Sequence, residues 1–408
     1  MLDNAARELV KATVPVLQQH GVTLTRHFYA RMFAHHPELM PVFNQTSQKT
    51  GSQQQALAMA VLAYAEHIDH PEVLLPVLKL IANKHVSLGI RAEHYAIVGK
   101  HLLASIKEVL GDAASDALID AWAAAYTQLA DILIAQEQQL YQHAVNQEGG
   151  WSGWRSFIVE KKVKESDEIT SFYLKPRDGG KVPLYAAGQY ISVKLPVPSM
   201  EMTQTRQYSL SAAPGKATLR ISVKNERGTT SRPRGVVSSL LHDSVEEGNL
   251  IDVAPPMGDY YLHEDRDTPV VLISAGVGIT PHWAMLERLI ETRSPRQILL
   301  IHACRHGGVH GFKQQLQQWR QAPIASCALN TIVYYENPRD SDRLASDYDR
   351  SGRLQLDEIA SSHLPPDADY YLCGPVAFMQ EQIGNLKRLG IDPLKIYSEA
   401  FGSGGVVA

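Results

Sequence analysis

The pattern of apolar and polar positions divides the chain into three stretches of different period. Up to about Gln142 it reads as helix after helix, and no alternating strand stands out. Over 115–141, Leu118, Trp122, Tyr126, Leu129, Leu133 and Leu140 recur at helical spacing, as on one face of a long helix. Leu74, Leu78, Ile81 and His85 form a second such face, and Tyr95, Val98, Leu102 and Ile106 a third. Pro15, Pro37 and Pro71 punctuate the segment. The run Asn146-Gln147-Glu148-Gly149-Gly150-Trp151-Ser152-Gly153 breaks the pattern and reads as a linker. Short β-like runs follow at 157–159, 169–174, 190–195, 208–210, 219–223 and 250–253, separated by turn residues as in a small barrel. From Pro269 onward strands (270–274, 298–302, 332–335, 370–373) alternate with helical patterns (283–291, 312–319, 376–389). That alternation predicts a parallel, doubly wound sheet. The fold class expected is thus multidomain: an all-α domain (1–145), a linker (146–153), an antiparallel β-barrel (154–264) and an α/β domain (265–408).

Composition narrows the classes. A chain of 408 residues suits two to four domains at roughly 100–200 residues each. With 44% hydrophobic and 20% charged residues it is a folding chain, not a disordered one. The net charge of -4 comes with both signs interspersed, so a nucleic-acid partner has no electrostatic support. No uninterrupted apolar run reaches the ~18 residues of a membrane span, and MLDNAARELV lacks a signal-peptide layout. Cys304, Cys327 and Cys373 lack metal-site spacing and are expected as reduced thiols, which suits the cytoplasm. A monomer is expected.

In an all-α domain, a histidine ending an apolar stripe invites a haem reading, although a satisfied core or edge histidine has the same pattern. The segment Ile81-Ala82-Asn83-Lys84-His85-Val86-Ser87-Leu88-Gly89-Ile90 decides more, together with Phe28-Tyr29, Phe43 after Pro37, and Gln53 with Leu57 four residues on. It resembles the globin domain of the flavohaemoglobins, a resemblance that runs through the whole helical region. It implies His85 as the proximal iron ligand, which leaves the opposite haem face free for oxygen. Tyr29 would donate a distal hydrogen bond to bound dioxygen, Gln53 and Leu57 would complete the distal wall, and Phe43 and Lys84 would line the haem. Glu137 lies four residues after Leu133 and three before Leu140, on an otherwise apolar face. A carboxylate there needs a partner, unless it is exposed in the last turns of its helix. The family pattern sets Tyr95 and Glu137 beside the proximal histidine, as a hydrogen-bonding group that makes the imidazole a stronger electron donor.

In the barrel, Arg206-Gln207-Tyr208-Ser209 follows Gly188-Gln189-Tyr190. This resembles the flavin motif of the ferredoxin–NADP reductase-like family. The implied roles are pyrophosphate binding by Arg206, ring stacking by Tyr208, a hydrogen bond from Ser209 near the flavin N5, and a nucleotide contact from Tyr190. Gly235-Val236-Val237-Ser238 could offer amides to a second phosphate at a helix start. The preceding stretch, Asn225-Glu226-Arg227-Gly228-Thr229-Thr230-Ser231-Arg232-Pro233-Arg234, is longer and more basic than the family's short turn, and a solvated loop is expected.

The strand at 270–274 runs into Ala275-Gly276-Val277-Gly278-Ile279-Thr280-Pro281. Here the glycines would let a pyrophosphate approach the backbone at a helix N-terminus. The run is not the usual Gly-x-Gly-x-x-Gly fingerprint, but as Gly-x-Gly-x-Thr-Pro it resembles the reductase family. Cys373-Gly374-Pro375 closes the last predicted strand, where nicotinamide approaches flavin in that family. Glu399-Ala400-Phe401-Gly402 would place Phe401 over the flavin ring. Ala400 stands where a Cys is common and Ser403 where a Pro is common.

The resemblance covers essentially the whole chain, through three modules in order. It implies haem b, FAD and NAD(P)H as cofactors, and oxygen and nitric oxide as partners. The implied function is that of a nitric oxide dioxygenase, an oxidoreductase whose electrons pass from NAD(P)H through FAD to haem, where oxygen oxidises nitric oxide to nitrate. A haem-based oxygen or redox sensor and a general flavin reductase for external acceptors are the alternatives. NADH against NADPH stays open: Arg305, after the second strand of the α/β domain, could meet a 2′-phosphate or be a surface charge.

Overall fold

The computed structural model describes residues 2–229, 233–321, 328–359 and 363–402. Cys327, Ser403 and the loop residues Thr230, Ser231 and Arg232 lie outside the described residues. The chain forms two compact units, Met1–Trp154 with Ser192–Arg206, and Arg155–Ile191 with Gln207–Ala408.

The first unit is helical: α1 (Asn4–Ala12), α2 (Val14–His35), α3 (Gln45–Thr50), α4 (Ser52–Glu66), α5 (Leu75–Leu88), α6 (Ala92–Leu110) and α7 (Asp116–Asn146). Pro15 sits in the first turn of α2, while Pro37 and Pro71 open short 3-10 turns. The first turn tolerates a missing N–H, so these prolines start elements and interrupt none. The Ser115 hydroxyl caps α7 by accepting the Leu118 amide at 3.2 Å. Along α7, Leu118, Trp122 and Leu133 are buried, while Tyr126, Leu129 and Leu140 pack partly buried on the same core. By length and mean hydropathy α7 passes for a membrane-crossing helix. Counting uninterrupted apolar residues does not show this, because polar residues are spread along it. Here its apolar face is the floor of the helical core.

Gly99 decides how closely α6 meets α7. A Cβ there would stand 2.5 Å from Tyr126 Cε1. Only glycine lets the Tyr126 ring lie against the α6 backbone, where its hydroxyl donates to the Tyr95 carbonyl at 2.6 Å.

The antiparallel sheet comprises β1 (Arg155–Lys164), β2 (Ile169–Pro176), β3 (Tyr190–Val197), β4 (Met202–Ser209), β5 (Leu219–Lys224) and β6 (Leu250–Val253), in the order β4-β3-β6-β1-β2-β5. Strand β1 pairs with β2 from Phe157↔Pro176 to Lys164↔Thr170, with an irregularity between Val159 and Lys161. Helix α8 (Val236–Asp243) lies between β5 and β6 in the chain. Strand β4 begins well before the expected 208, because its Thr and Gln residues carry no apolar alternation.

The parallel sheet comprises β7 (Val270–Ala275), β8 (Gln297–Cys304), β9 (Ala328–Tyr335), β10 (Arg350–Ser351), β11 (Asp369–Cys373) and β12 (Ile396–Glu399), in the order β10-β9-β8-β7-β11-β12. Helices α9 (Ile279–Glu291), α10 (Lys313–Gln321) and α11 (Val376–Arg388) accompany it. Every residue of β11 is buried, and all of β7 but Ala275, as strands covered on both faces require. The pattern did not reveal β10 and β12, which are short edge strands with few buried residues. The strand order reverses between β7 and β11, which pair Ser274 with Cys373. Such a switch point, at the carboxyl ends of the strands, is where open α/β sheets bind ligands.

Candidate active site

Helix α5 carries His85, α6 carries Tyr95 and α7 carries Glu137, and the three meet. His85 Nδ1 is 2.7 Å from Glu137 Oε1 and 3.0 Å from the Tyr95 hydroxyl oxygen. The Tyr95 hydroxyl donates to the same carboxylate oxygen at 2.5 Å. Glu137 is 2% exposed, so the alternative of an exposed carboxylate does not hold. Its carboxylate accepts an N–H from Nδ1, so the imidazole lone pair falls on Nε2. Burial, and then the hydrogen bond to Glu137 and its charge, push the Tyr95 hydroxyl well above the ordinary tyrosine range, so it stays a donor. Tyr141 donates to the Ile90 carbonyl at 2.6 Å, and the Arg91 guanidinium lies 4.0 Å over its ring. These contacts hold the turn between α5 and α6. Sequence reasoning placed Tyr126 on an apolar stripe and did not single out Tyr141, because nothing in a periodicity shows where a phenol oxygen ends.

Tyr29 lies on α2 and is 5% exposed, while Gln53 and Leu57 lie half-buried on α4. Burial pushes the Tyr29 hydroxyl up to about 12, opposed by the nearby Gln53 side chain. One turn earlier on α2, the Thr25 hydroxyl donates to the Gln54 carbonyl at 2.9 Å and ties the two helices together. The Phe43 ring packs edge-on to Tyr29 at 5.6 Å and to Phe33 at 5.3 Å. Lys84 is half-buried on α5, next to His85.

Tyr190 opens β3 and exchanges backbone hydrogen bonds with Met257, both at 2.9 Å. A Cβ on Gly258 would stand 3.0 Å from the Tyr190 ring, so that glycine lets the ring lie on the backbone. Arg206, Gln207, Tyr208 and Ser209 form the end of β4, with Arg206 and Tyr208 on one face of the strand and Ser209 buried. Arg206 Nη1 donates to the Thr205 carbonyl at 2.7 Å. Gly235 precedes α8, but its amide already donates to the Glu226 carbonyl at 2.7 Å. The amides at the open first turn are therefore those of Val236, Val237 and Ser238. In the preceding loop Lys224 pairs with Glu226 at 2.9 Å, and Arg234 with Asp243.

Gly276, Val277 and Gly278 follow β7 as a single turn leading into α9. The two glycines have different reasons. Gly276 has φ +55, and a Cβ there would meet nothing within 4 Å among the described residues, so this position faces open space. Gly278 is closed: a Cβ would stand 2.1 Å from the Cys373 carbonyl oxygen and 2.7 Å from the Gly374 nitrogen. Both glycines are expected to clear the way for a pyrophosphate, and at Gly278 the missing side chain also makes room for the Cys373-Gly374-Pro375 turn. Ile279, Thr280 and Pro281 are buried behind the turn, and the Thr280 hydroxyl donates to the Val277 carbonyl at 3.0 Å. Glu399 pairs with Cys373 across β12 and β11. Cys304 and Cys373 are buried free thiols, and burial raises the pKa of both. Phe401 is 42% exposed and Gly402 is exposed beside it. Arg305 forms an ion pair with Glu168.

Comparison with known proteins fits this layout. The chain matches the Globin family over 26–133, the oxidoreductase FAD-binding domain over 156–261 and the oxidoreductase NAD-binding domain over 272–383. It is 55% identical over 409 residues to a flavohemoprotein of Bordetella parapertussis, covering 100% of both chains. It is 56% identical over 403 residues to one of Chromobacterium violaceum, covering 99% of both. The chain belongs to the flavohaemoglobin family. A solved flavohaemoglobin of Malassezia yamatoensis, with bound FAD and haem, superposes with a TM-score of 0.85 at 28% identity, covering 98% of this chain and 100% of that one. The FAD/NAD-binding domain of a Vibrio cholerae nitric oxide dioxygenase superposes with a TM-score of 0.54 at 38% identity, covering 61% of this chain and 98% of that one.

As a flavohaemoglobin, the chain is an oxidoreductase that passes electrons from NAD(P)H through FAD to haem. Its residues fit these groups. His85 has Nδ1 engaged and its lone pair on Nε2, the donor an axial iron ligand needs. The turn that opens α8 holds a buried Ser239 hydroxyl that has no hydrogen-bond partner among the described residues, beside its first-turn amides, as a phosphate site would. The open space over Gly276 leaves the α9 turn accessible to a nucleotide.

Proposed function

We propose that the chain is a nitric oxide dioxygenase, joining nitric oxide and dioxygen into nitrate. Each nitrate takes one electron, so one NAD(P)H serves two turnovers. When bound, NAD(P)H supplies hydride, FAD the passage from an electron pair to single electrons, and haem b a site for dioxygen.

The observation that carries this reading is the sealed carboxylate behind His85. Glu137, 2% exposed and 2.7 Å from Nδ1, draws the ring proton toward itself and enriches Nε2 in electron density. A strongly donating axial imidazole favours activating oxygen over carrying it. Tyr29 supplies the complementary feature. With its hydroxyl pushed up to about 12, it keeps its proton at neutral pH and can donate to an oxygen ligand, while Gln53 orients it. Phe43 packs against the Tyr29 ring, and at 5% exposure the tyrosine is shielded from water. A general flavin reductase has no use for either feature.

Nitric oxide consumption by the purified protein, loaded with haem and FAD and supplied with NADH and oxygen, tests the reading. One nitrate per nitric oxide consumed is expected. NADH oxidation that leaves nitric oxide untouched would overturn it.

A further inference from the structure

At the start of the electron path NAD(P)H would supply a hydride to FAD, being oxidised by two electrons while FAD is reduced by two. That step depends steeply on how the two rings are held. The FAD-binding domain contains the antiparallel sheet and the NAD-binding domain the parallel one, so the alignment rests on what joins α9 to the antiparallel sheet.

A buried charge pair joins them. Arg220 on β5 donates through Nη2 to Glu287 Oε1 on α9 at 2.8 Å, and the two side chains are 10% and 16% exposed. The same carboxylate accepts the Ala213 amide at 3.0 Å and the Trp283 indole N–H at 3.0 Å. The guanidinium lies 5.5 Å from the centroid of Phe312, which stacks on Trp283 at 4.5 Å, and 5.8 Å from that of Tyr173. Its Nε donates to the Ser211 hydroxyl at 3.2 Å. Two neighbours seat the start of α9. The Tyr260 hydroxyl is 2.5 Å from His282 Nε2, and Met285 Cε lies where a side chain on Gly188 would be, 2.6 Å from an added Cβ.

A buried ion pair is a poor choice if adhesion alone is needed, because apolar packing holds as well or better. What it adds is direction. With the Trp283 indole holding the carboxylate from within α9, Glu287 is satisfied only where Arg220 and Ala213 converge on it, which fixes the placement of α9 on the antiparallel sheet. We propose that Arg220 and Glu287 are positioning residues for hydride transfer, fixing α9 and the Gly276 turn at its head against the flavin-binding sheet.

The test uses the full chain carrying haem and FAD, as Glu287→Gln, Arg220→Met and Arg220→Lys. FAD content and the flavin absorption spectrum should match wild type. Flavin reduction at saturating NADH, followed by stopped flow, should slow by roughly tenfold to a hundredfold in Glu287→Gln and Arg220→Met, as for a displacement of about 1 Å. Half-saturation by NADH should change little. The long-wavelength absorbance of nicotinamide stacked on flavin, seen when NAD+ is added to dithionite-reduced protein, should weaken in parallel. Arg220→Lys keeps the charge and should recover part of both. Removing one partner strands a buried charge, so a variant that fails to hold FAD is replaced by Arg220→Met with Glu287→Leu in one chain, for which the same two losses are expected. A wild-type reduction rate and absorbance in an FAD-loaded variant, with only a lower melting temperature, would overturn the proposal.

Discussion

Glu137 Oε1 lies 2.7 Å from His85 Nδ1, although the two residues are 52 apart in the chain. The same oxygen also takes the Tyr95 hydroxyl at 2.5 Å, so two donors converge on one buried acceptor. Replacing the charge while keeping the shape isolates its effect. Glu137→Gln should bind haem but consume nitric oxide roughly tenfold to a hundredfold more slowly, the usual cost of losing a partner behind a metal-bound histidine. The iron–histidine stretch in resonance Raman spectra should fall in frequency. An unchanged stretch would show that the carboxylate does not tune the imidazole.

His85→Ala should lose haem or hold it far more weakly. FAD content and NADH-driven reduction of an artificial acceptor should persist, because the globin has a hydrophobic core of its own. An intact haem spectrum would mean that another histidine is the ligand.

Tyr29→Phe removes the buried hydroxyl and leaves the ring packed on Phe43. A hydrogen bond to a charged acceptor contributes about 1.5–3 kcal/mol, so oxygen should leave roughly ten to a hundred times faster. Carbon monoxide, which carries less charge, should respond less. The pH dependence has a definite sign. Burial raises the Tyr29 pKa to about 12, favouring the neutral donor, so oxygen release in wild type should stay flat through about pH 10, where an ordinary tyrosine ionises, and accelerate only above it. Equal oxygen release from the two proteins would reduce Tyr29 to packing.

The two glycines of the α9 turn should respond differently to alanine. Gly278→Ala pushes a methyl into the Cys373 carbonyl, where a Cβ has only 2.1 Å, and should lower stability and flavin reduction together. Gly276→Ala meets no atom within 4 Å, but it stands at φ +55 and should cost about 1 kcal/mol in backbone strain. Melting curves of the two proteins distinguish these, and a Gly278→Ala variant as stable as wild type would contradict the close approach.

Buried histidines should make the parallel-sheet domain acid-sensitive. Burial holds His282 and His302 down to about 3 and lowers His310 well below its ordinary range, with neighbouring histidines acting in the same direction on His282 and His310. The unfolded chain takes up these protons near pH 6.5 and the folded chain does not. Their contribution is therefore fully present above about pH 6.5 and shrinks as pH falls toward 3, by up to about 1.4 kcal/mol per pH unit for each group. Urea unfolding between pH 7 and 4, followed by tryptophan fluorescence, should show that slope, and His302→Gln should flatten it. A slope unchanged by the substitution would place the acid sensitivity elsewhere.

Module order, the helical period and the residue types of each motif were legible in the chain itself, because they depend on neighbours within a turn or a strand. The stripe through Leu118, Trp122 and Leu133 turned inward as its spacing requires. Strand β7 and the glycine turn after it could be read from a short apolar run followed by Gly276 and Gly278. Sequence could also mark Glu137 as out of place on an apolar face. It could not supply the partner geometry, since Tyr95 and His85 reach that carboxylate from two other helices.

Tertiary structure alone decided the rest. Gly278 carries the signature of a phosphate turn, yet what excludes its side chain is the Cys373 backbone, brought alongside by strand pairing between β7 and β11. Nothing in the sequence singles out Arg220 or Glu287, because a guanidinium in a strand and a carboxylate in a helix give no local sign of burial. The edge strand β12 left little trace in the pattern, since its residues are only half covered. Local spacing records which face of an element is apolar. Which two faces then meet, and which polar atoms are sealed between them, depends on contacts across long separations in the chain, and those exist only once the sheets and helices are packed.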